Sequence, residues 1–307
     1  MKNRPIVIAG NGPSLAHIDY RRLPTDFDVF RSNQFYFEDK YFLGQRITGA
    51  FLNPYPLVQQ SYTYHLLQQR GEYEIQDIYF VCNTLHDEYE QGKRLAEDFP
   101  SIKNCNQYLQ AMPQFHKYER FLGMYHRQKF TSVIWMLITA LAQGYTEIYI
   151  VGLDFYKKGG LDYAFNSSKP NLINISPHFG DETYKNKDHT EKTDVAGLKM
   201  AQNIPGVKIY SISEISPVNE YLPLSPIINQ APMEVENKGP NAISDLCIPP
   251  ALQDAGGGRG VRFFRRYALL SEYEKLKGTI FVRLILDFFI VIFMSFRILK
   301  KIIFRRK

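Results

Sequence analysis

Pro5-Ile-Val-Ile-Ala-Gly-Asn-Gly-Pro-Ser14 is the stretch from which the rest of the chain can be read. Four apolar residues without alternation, bounded by Pro5 and Gly10, read as a strand buried on both faces. The glycines after it suit a tight turn and let backbone come close to a ligand. Ser14 can cap a helix that starts there. Strand, glycine turn and helix in this order put the turn where a nucleotide-binding turn of an α/β sheet would be. The turn is neither a G-x-G-x-x-G nor a P-loop, because no G-K-[ST] follows.

Outward from this unit, strand-like runs recur at 27–31, 47–52, 75–81, 147–151 and 207–211. Helical stretches fall at 57–69, 87–98, 131–143 and 190–203, the third opened by Thr131 and Ser132 and closed by Gly144. Such alternation predicts an α/β fold with a mostly parallel sheet and helices on both faces. From 154 to 188 periodicity is lost and Gly, Asn, Ser, Lys and Tyr dominate. A loop of that length in a compact domain is functional or disordered, and it is read here as a lid over 155–189. Pro217 to Gly258 holds seven prolines and ends in three glycines, the composition of a linker. The expected organisation is a catalytic domain over 1–216, a linker over 217–258 and a tail over 259–307.

Charge supports that division. The chain has 37 Lys and Arg against 31 Asp and Glu, but residues 259–307 hold 13 basic and 3 acidic side chains. The remaining body therefore has 24 basic against 28 acidic, a net of −4. A body of that sign argues against nucleic acid as a partner, since gripping phosphates needs a basic face. The tail is rich in Phe (281, 288, 289, 293, 296, 304) among Lys and Arg, and its apolar core runs between Arg283 and Arg297. As a helix that core spans roughly 20 Å, short of a ~30 Å bilayer interior. The expectation is an interfacial helix on anionic lipid rather than a span. The apolar run before Gly12 is too short for a signal peptide, so export is not expected. Cys82, Cys105 and Cys247 show no C-x-x-C spacing, which suggests neither zinc nor a disulfide framework.

Four strand-like runs end in asparagine, at Asn11, Asn33, Asn53 and Asn83. Ligands of open α/β sheets lie at the carboxyl ends of the strands. A row of amides there suits sugar hydroxyls and a nucleobase. Gly10, Gly12 and Ser14 of the first turn, and Gly152 and Asp154 after the strand 147–151, complete the candidate substrate-binding set. Thr131 and Ser132 begin an apolar helix, and helix starts bind anions. Lys129 could add a charge to the same anion. Tyr156 and Tyr163 flank Gly159-Gly160 and could donate hydrogen bonds to a phosphate leaving group. His189, where the aperiodic loop meets a helix, is placed to act as general base, with His178 as rival. Asp26-Phe-Asp28 has the form of a metal-holding Asp-x-Asp. It precedes a strand instead of ending one, so a turn and no metal are expected.

The stretches IAGNGPSL (8–15), IDYRRLPTDFDVFRSNQFYFEDKYFLG (18–44), FLNP (51–54), EIYIVGLDFY (147–156) and YAF (163–165), with the His189 region, resemble the bacterial lipooligosaccharide sialyltransferases of glycosyltransferase family 42. The resemblance implies a single nucleotide-binding domain, Rossmann-like and a GT-A variant. It implies inverting, metal-independent transfer of N-acetylneuraminic acid from CMP-sialic acid to a terminal galactose of lipooligosaccharide, without a cofactor. The linkage implied is α2,3 first, with α2,8 transfer to sialic acid as a further option. On this likeness His189 is the base and Tyr156 and Tyr163 serve the departing phosphate. Asn11, Asn33 and Asn53 hold the donor, and Thr131 and Ser132 lie near the nucleotide and the sialyl carboxylate. The family's basic, apolar extension implies a peripheral site on the cytoplasmic face of the inner membrane, and a homo-oligomer is compatible with it. Lys129 stands where the family has arginine, and a lysine cannot make the planar bidentate contact. Two rival readings are an enzyme for another nucleotide sugar and a membrane-anchored binding protein without catalysis.

Overall fold

The computed structural model describes residues 2, 4–53, 56–81, 99–156, 163–181, 188–250, 284–285 and 287–296. The chain divides into two compact units, Met1–Cys247 and Ile248–Lys307.

The first unit is built on a seven-stranded sheet in which every pairing is parallel. Its strands are β1 (Ile6–Ala9), β2 (Asp28–Ser32), β3 (Arg46–Leu52), β4 (Glu74–Phe80), β5 (Ile102–Asn104), β6 (Glu147–Val151) and β7 (Lys208–Ser211). They lie in the order β5-β4-β3-β2-β1-β6-β7. The chain thus steps outward from β1 to one edge, then returns to the other side of β1. The topological switch point falls between β1 and β6, where Ile6 pairs with Ile148 and Ala9 with Val151. In open α/β sheets the crevice at such a point is where ligands bind.

The run Ile6–Ala9 is apolar throughout because both its faces are covered. Ile6 and Ile8 enter one core with α4 (Ser132–Ala142) and α6 (Glu191–Gln202). Val7 and Ala9 enter the other, with Tyr64 and Leu67 of α1 (Leu57–Gln69). Helix α4 is apolar on nearly all sides, and Val133 through Leu141 are all buried. Each such Ile, Leu or Val contributes about 1.5–3 kcal/mol relative to exposure. Gly144, at φ 88°, takes the left-handed conformation that ends the helix.

Several expectations are corrected. Ser14 caps no helix; residues Pro13–His17 form a single 3-10 turn behind Gly12. The reason is that Ser14 Oγ accepts the Gly152 N–H at 3.0 Å and so serves another loop. The expected helix over 87–98 lies outside the described residues, as does Asn83. Strand β5 and the helices α2 (Asn106–Gln110) and α3 (Pro113–Phe121) were not anticipated. Within the stretch expected to be a lid, α5 (Pro170–Ile175) and a 3-10 turn at Pro177–Gly180 give regular structure.

The stretch 217–258 was expected to be a linker, but as far as Cys247 it is a strap on the first unit. Ile228 N–H donates to Arg21 O at 2.9 Å, Tyr41 N–H to Glu236 O at 2.9 Å and Cys247 N–H to Thr63 Oγ1 at 2.9 Å. Asp245 caps α5, accepting from the backbone of Asn171 and Leu172 at 2.9 and 3.3 Å. Proline suits such a strap because it presets extended backbone and needs no partner for an N–H.

In the second unit a helix occupies 284–285 and 287–296 of the described residues. Its Leu284, Phe288, Phe289, Val291, Phe293 and Phe296 are exposed. Among the described residues no helix is long and apolar enough to cross a membrane.

Candidate active site

The carboxyl ends of β1 and β6 are braced by mutual contacts. Gly10 N–H donates to Val151 O at 2.9 Å and Gly12 N–H to Gly152 O at 3.1 Å. A Cβ on Gly10 would lie 2.3 Å from Gly152 O, and one on Gly152 would lie 2.4 Å from Gly10 O. Gly152 also has φ 70°, so any side chain there meets strain as well as a clash. Asp154 accepts the Ser14 N–H at 2.7 Å and the Ser216 hydroxyl at 3.3 Å. Gly10, Gly12, Ser14, Gly152 and Asp154, read from sequence as ligand contacts, are thus engaged with one another. Their geometry fixes the turn from which Asn11 projects.

The asparagines gather beside that turn. Asn11 is 8% exposed, and its Nδ2 donates to Ser32 O at 3.0 Å. Its Oδ1 is buried and accepts no hydrogen bond among the described residues. A buried acceptor left so costs roughly 1–3 kcal/mol, which a ligand N–H or O–H would recover. Asn33 adopts φ 53°, a conformation asparagine tolerates, and its carbonyl accepts the Tyr64 hydroxyl at 2.7 Å. Asn33 Oδ1 accepts the Asn53 N–H at 3.2 Å. Ser132 Oγ donates to Asn53 Oδ1 at 3.3 Å and lies 3.5 Å from Asn33 Nδ2. Asn33, Asn53 and Ser132 therefore form one cluster, joining the ends of β2 and β3 to the start of α4. Thr131 is the N-cap of α4, although its side chain caps no N–H of the helix.

His189 lies just before α6, next to the Thr190 N-cap whose hydroxyl accepts the Thr193 N–H. Its Nδ1 is 3.0 Å from Lys129 O. A carbonyl only accepts, so Nδ1 carries the proton and the neutral ring keeps its lone pair on Nε2. Burial, with the Lys129 charge second, pushes His189 down to about 4. The imidazole is therefore unprotonated at neutral pH, as a proton acceptor must be. Lys129 Nζ pairs with Asp188 Oδ2 at 3.2 Å and its N–H donates to Asp188 O at 2.9 Å. The ammonium thus stands by the base and Asp188.

Tyr156 stacks on His189 with ring centroids 6.3 Å apart and planes at 19°. Phe155 and Tyr156 have φ 56° and 53°, two successive left-handed non-glycine residues. Such conformations cost of order 1–3 kcal/mol each and gather at functional sites. Tyr163 stacks on Phe165 at 5.6 Å, and the adjoining Ala164 N–H donates to Asn11 O at 2.9 Å. This ties the segment after 162 to the first turn. His178, the rival base, lies against Phe179 in the Pro177–Gly180 turn, and burial lowers its pKa. Asp26 and Asp28 sit at the opposite, amino end of the sheet. Arg4 pairs with both, and Tyr145 donates its hydroxyl to Asp28 at 2.5 Å.

Sequence reasoning missed Asp194, which is 1% exposed and accepts the Thr131 N–H at 3.0 Å. A single Asp one turn into a helix reads as ordinary first-turn charge, and nothing local reports its burial.

A doubly wound parallel sheet with polar side chains gathered at its switch point defines a nucleotide-binding α/β protein. Residues 4–293 match the family described as Alpha-2,3-sialyltransferase (CST-I), and the chain belongs to it. The fold matches that of the monofunctional alpha-2,3-sialyltransferase Cst-I from Campylobacter jejuni with a TM-score of 0.78 and 33% identity, over 89% of this chain and 96% of that one. The sialyltransferase CstII from Campylobacter jejuni, in complex with the substrate analogue CMP-3FNeuAc, matches at 0.76 and 34%, over 82% and 98%. CST-II in complex with a trisaccharide acceptor and CMP matches at 0.73 and 33%, over 82% and 98%. The chain is a CMP-sialic acid-dependent sialyltransferase, with a nucleotide-sugar donor and an oligosaccharide acceptor.

Proposed function

We propose that this sialyltransferase is inverting and metal-independent, and that it moves N-acetylneuraminic acid to a terminal galactose of lipooligosaccharide in α2,3 linkage. One observation supports the mechanism above the others. His189 is neutral, and the Lys129 carbonyl fixes its tautomer so that Nε2 can accept a proton. Nε2 takes the proton of the acceptor hydroxyl as its oxygen bonds to the anomeric carbon. The bond from that carbon to the phosphate oxygen breaks, and CMP leaves with the electron pair. Phenols of Tyr156 and Tyr163 donate hydrogen bonds to the departing phosphate. Asn11, Asn33 and Asn53 hold the donor, with its anionic groups toward Ser132 at the α4 start. A monophosphate needs less neutralisation than a diphosphate, so phenols and a helix start suffice without a divalent ion. Pairing of Asp26 and Asp28 with Arg4 and Tyr145, far from the switch point, favours the same reading.

His189→Ala should lower turnover of CMP-sialic acid with lactose by at least about 100-fold while calorimetry shows CMP still binding. Near-normal turnover would remove the base assignment, and loss of activity in chelator would refute the metal-free mechanism.

The tail is proposed to hold the enzyme at the cytoplasmic face of the inner membrane. Its exposed apolar helix at 284–285 and 287–296 and the flanking Lys and Arg favour lipid contact. Removing residues 259–307 should release a soluble enzyme that still uses lactose. A shortened chain that still floats with anionic vesicles would contradict this.

A further inference from the structure

Helix α6 carries a buried carboxylate that the transfer chemistry does not use. Asp194 Oδ1 accepts the backbone N–H of Thr131, one residue before Ser132. Four contacts lace the start of α6 to the approach to α4. Besides the Asp194 contact, Lys129 N–H donates to Asp188 O at 2.9 Å, His189 Nδ1–H to Lys129 O at 3.0 Å and Thr193 Oγ1–H to Gln128 Oε1 at 3.3 Å. Packing leaves no slack between the helices. A Cβ on Gly197 would lie 2.8 Å from Ile134 Cγ2 and 3.1 Å from Phe130 Cε1. The base-bearing turn and the α4 start therefore move as one piece.

Asp194 is the member of this set that brings an ionisable side chain beneath α4. Several charged groups on the elements around it are engaged elsewhere. Lys129 pairs with Asp188, Glu119 of α3 accepts the Phe130 N–H at 3.2 Å and Glu191 accepts the Tyr221 hydroxyl at 2.8 Å. His189 is neutral and donates to Lys129 O, while Lys192 and Lys199 lie on α6 itself. Burial pushes Asp194 up to about 7, although the Thr131 N–H pulls the other way.

We propose that Asp194 is a positioning residue that seats the start of α4 and shares that helix end with the donor's anion, taking up a proton when the anion binds. The inference rests on the proposed placement of the donor, since CMP supplies the anion. A helix start carries about half a positive charge and serves one anion well. A second anion brought into a desolvated site raises the carboxyl's proton affinity. Protonated, the carboxyl still accepts the Thr131 N–H through its carbonyl oxygen, so the helix start keeps its seat. The proton comes from solvent onto the other carboxyl oxygen, and returns when CMP leaves.

The test is calorimetry of CMP binding to the full chain and to Asp194→Asn, at pH 7.5, in two buffers of different ionisation enthalpy. The amide oxygen of Asn can accept the same N–H, so this variant removes the charge and keeps the contact. Wild type should take up a larger fraction of a proton per CMP than the variant. Its Kd should weaken by at least about threefold more between pH 6.5 and 8.5, because the carboxylate must be reprotonated against a rising pH. Titration of the CMP phosphate is common to both proteins and cancels in the comparison. Equal proton counts and parallel pH profiles would overturn the proposal and leave Asp194 as a simple seat. Absence of CMP binding to either protein would overturn the donor placement and this proposal together, which is a distinct result.

Discussion

Glu38 and Asp194 are both enclosed, at 2% and 1% exposure, on opposite flanks of the site, yet they are held in different ways. Glu38 lies against the Arg31 guanidinium, which reaches both its oxygens from the end of β2, and Arg31 rests on the Phe35 ring at 5.3 Å. The strap adds a second cation. Lys238 Nζ donates to Tyr36 O at 2.8 Å, and burial lowers it to about 8. Asp194 meets the Thr131 N–H, and among the described residues no cation pairs with it. One carboxylate is held by cations behind the Asn33 turn, although burial still raises its pKa, whereas the other is set to titrate near pH 7 beside the α4 start. Rigidity is thus placed under the amide cluster, and adjustability where proton and anion traffic runs.

The largest expected effect breaks the locked side. Glu38→Ala strands a buried guanidinium and should cost about 3–5 kcal/mol of unfolding free energy in urea. A loss below about 1 kcal/mol would mean that Lys238 and water compensate. Next comes Asp194→Ala, which leaves the Thr131 N–H unpaired and should cost about 1–3 kcal/mol. Asp194→Asn should cost less and should flatten the pH dependence of stability. The carboxyl's folded pKa is raised, so its contribution is present at low pH and is lost as pH rises toward and through about 7. A wild-type profile already flat from pH 5 to 8 would contradict a titrating Asp194.

The smallest effect sharpens the comparison at the base. Lys129–Asp188 is a partly exposed pair, so Lys129→Ala should change stability by less than about 1 kcal/mol. Removing the ammonium takes away the second of the causes that lower His189. His189 must be neutral to accept a proton, so activity is lost as pH falls through its pKa. The acid limb of kcat/KM, expected near pH 4, should therefore move upward in Lys129→Ala. It should stop short of the ordinary histidine value because burial, the larger cause, remains. An unmoved limb would separate Lys129 from the base.

Much of the site was legible in the sequence. Six of the seven strands followed from short apolar runs, five of them with glycine or asparagine beyond, and Ile102–Asn104 was missed because three residues carry no period. Asn33 and Asn53 were placed by their position after strands, and His189 by its junction between loop and helix. The glycines were recognised, but a structural reason for two of them was not. Gly10 and Gly152 face each other across 142 residues of sequence, and their contact is invisible until β1 and β6 pair.

The one-dimensional pattern determined which segments are strands, where their polar ends fall and which residue types stand ready for proton and phosphate chemistry. These are local properties, fixed by periodicity, turn chemistry and charge within a few residues. Tertiary structure alone decided what those residues do to one another. Ser14 braces Gly152, the strap carries Lys238 to the Arg31–Glu38 pair, and Asp194 comes to rest under α4. Burial and long-range hydrogen bonding set the protonation of His189 and Asp194, and both arise only when segments distant in sequence exclude water together.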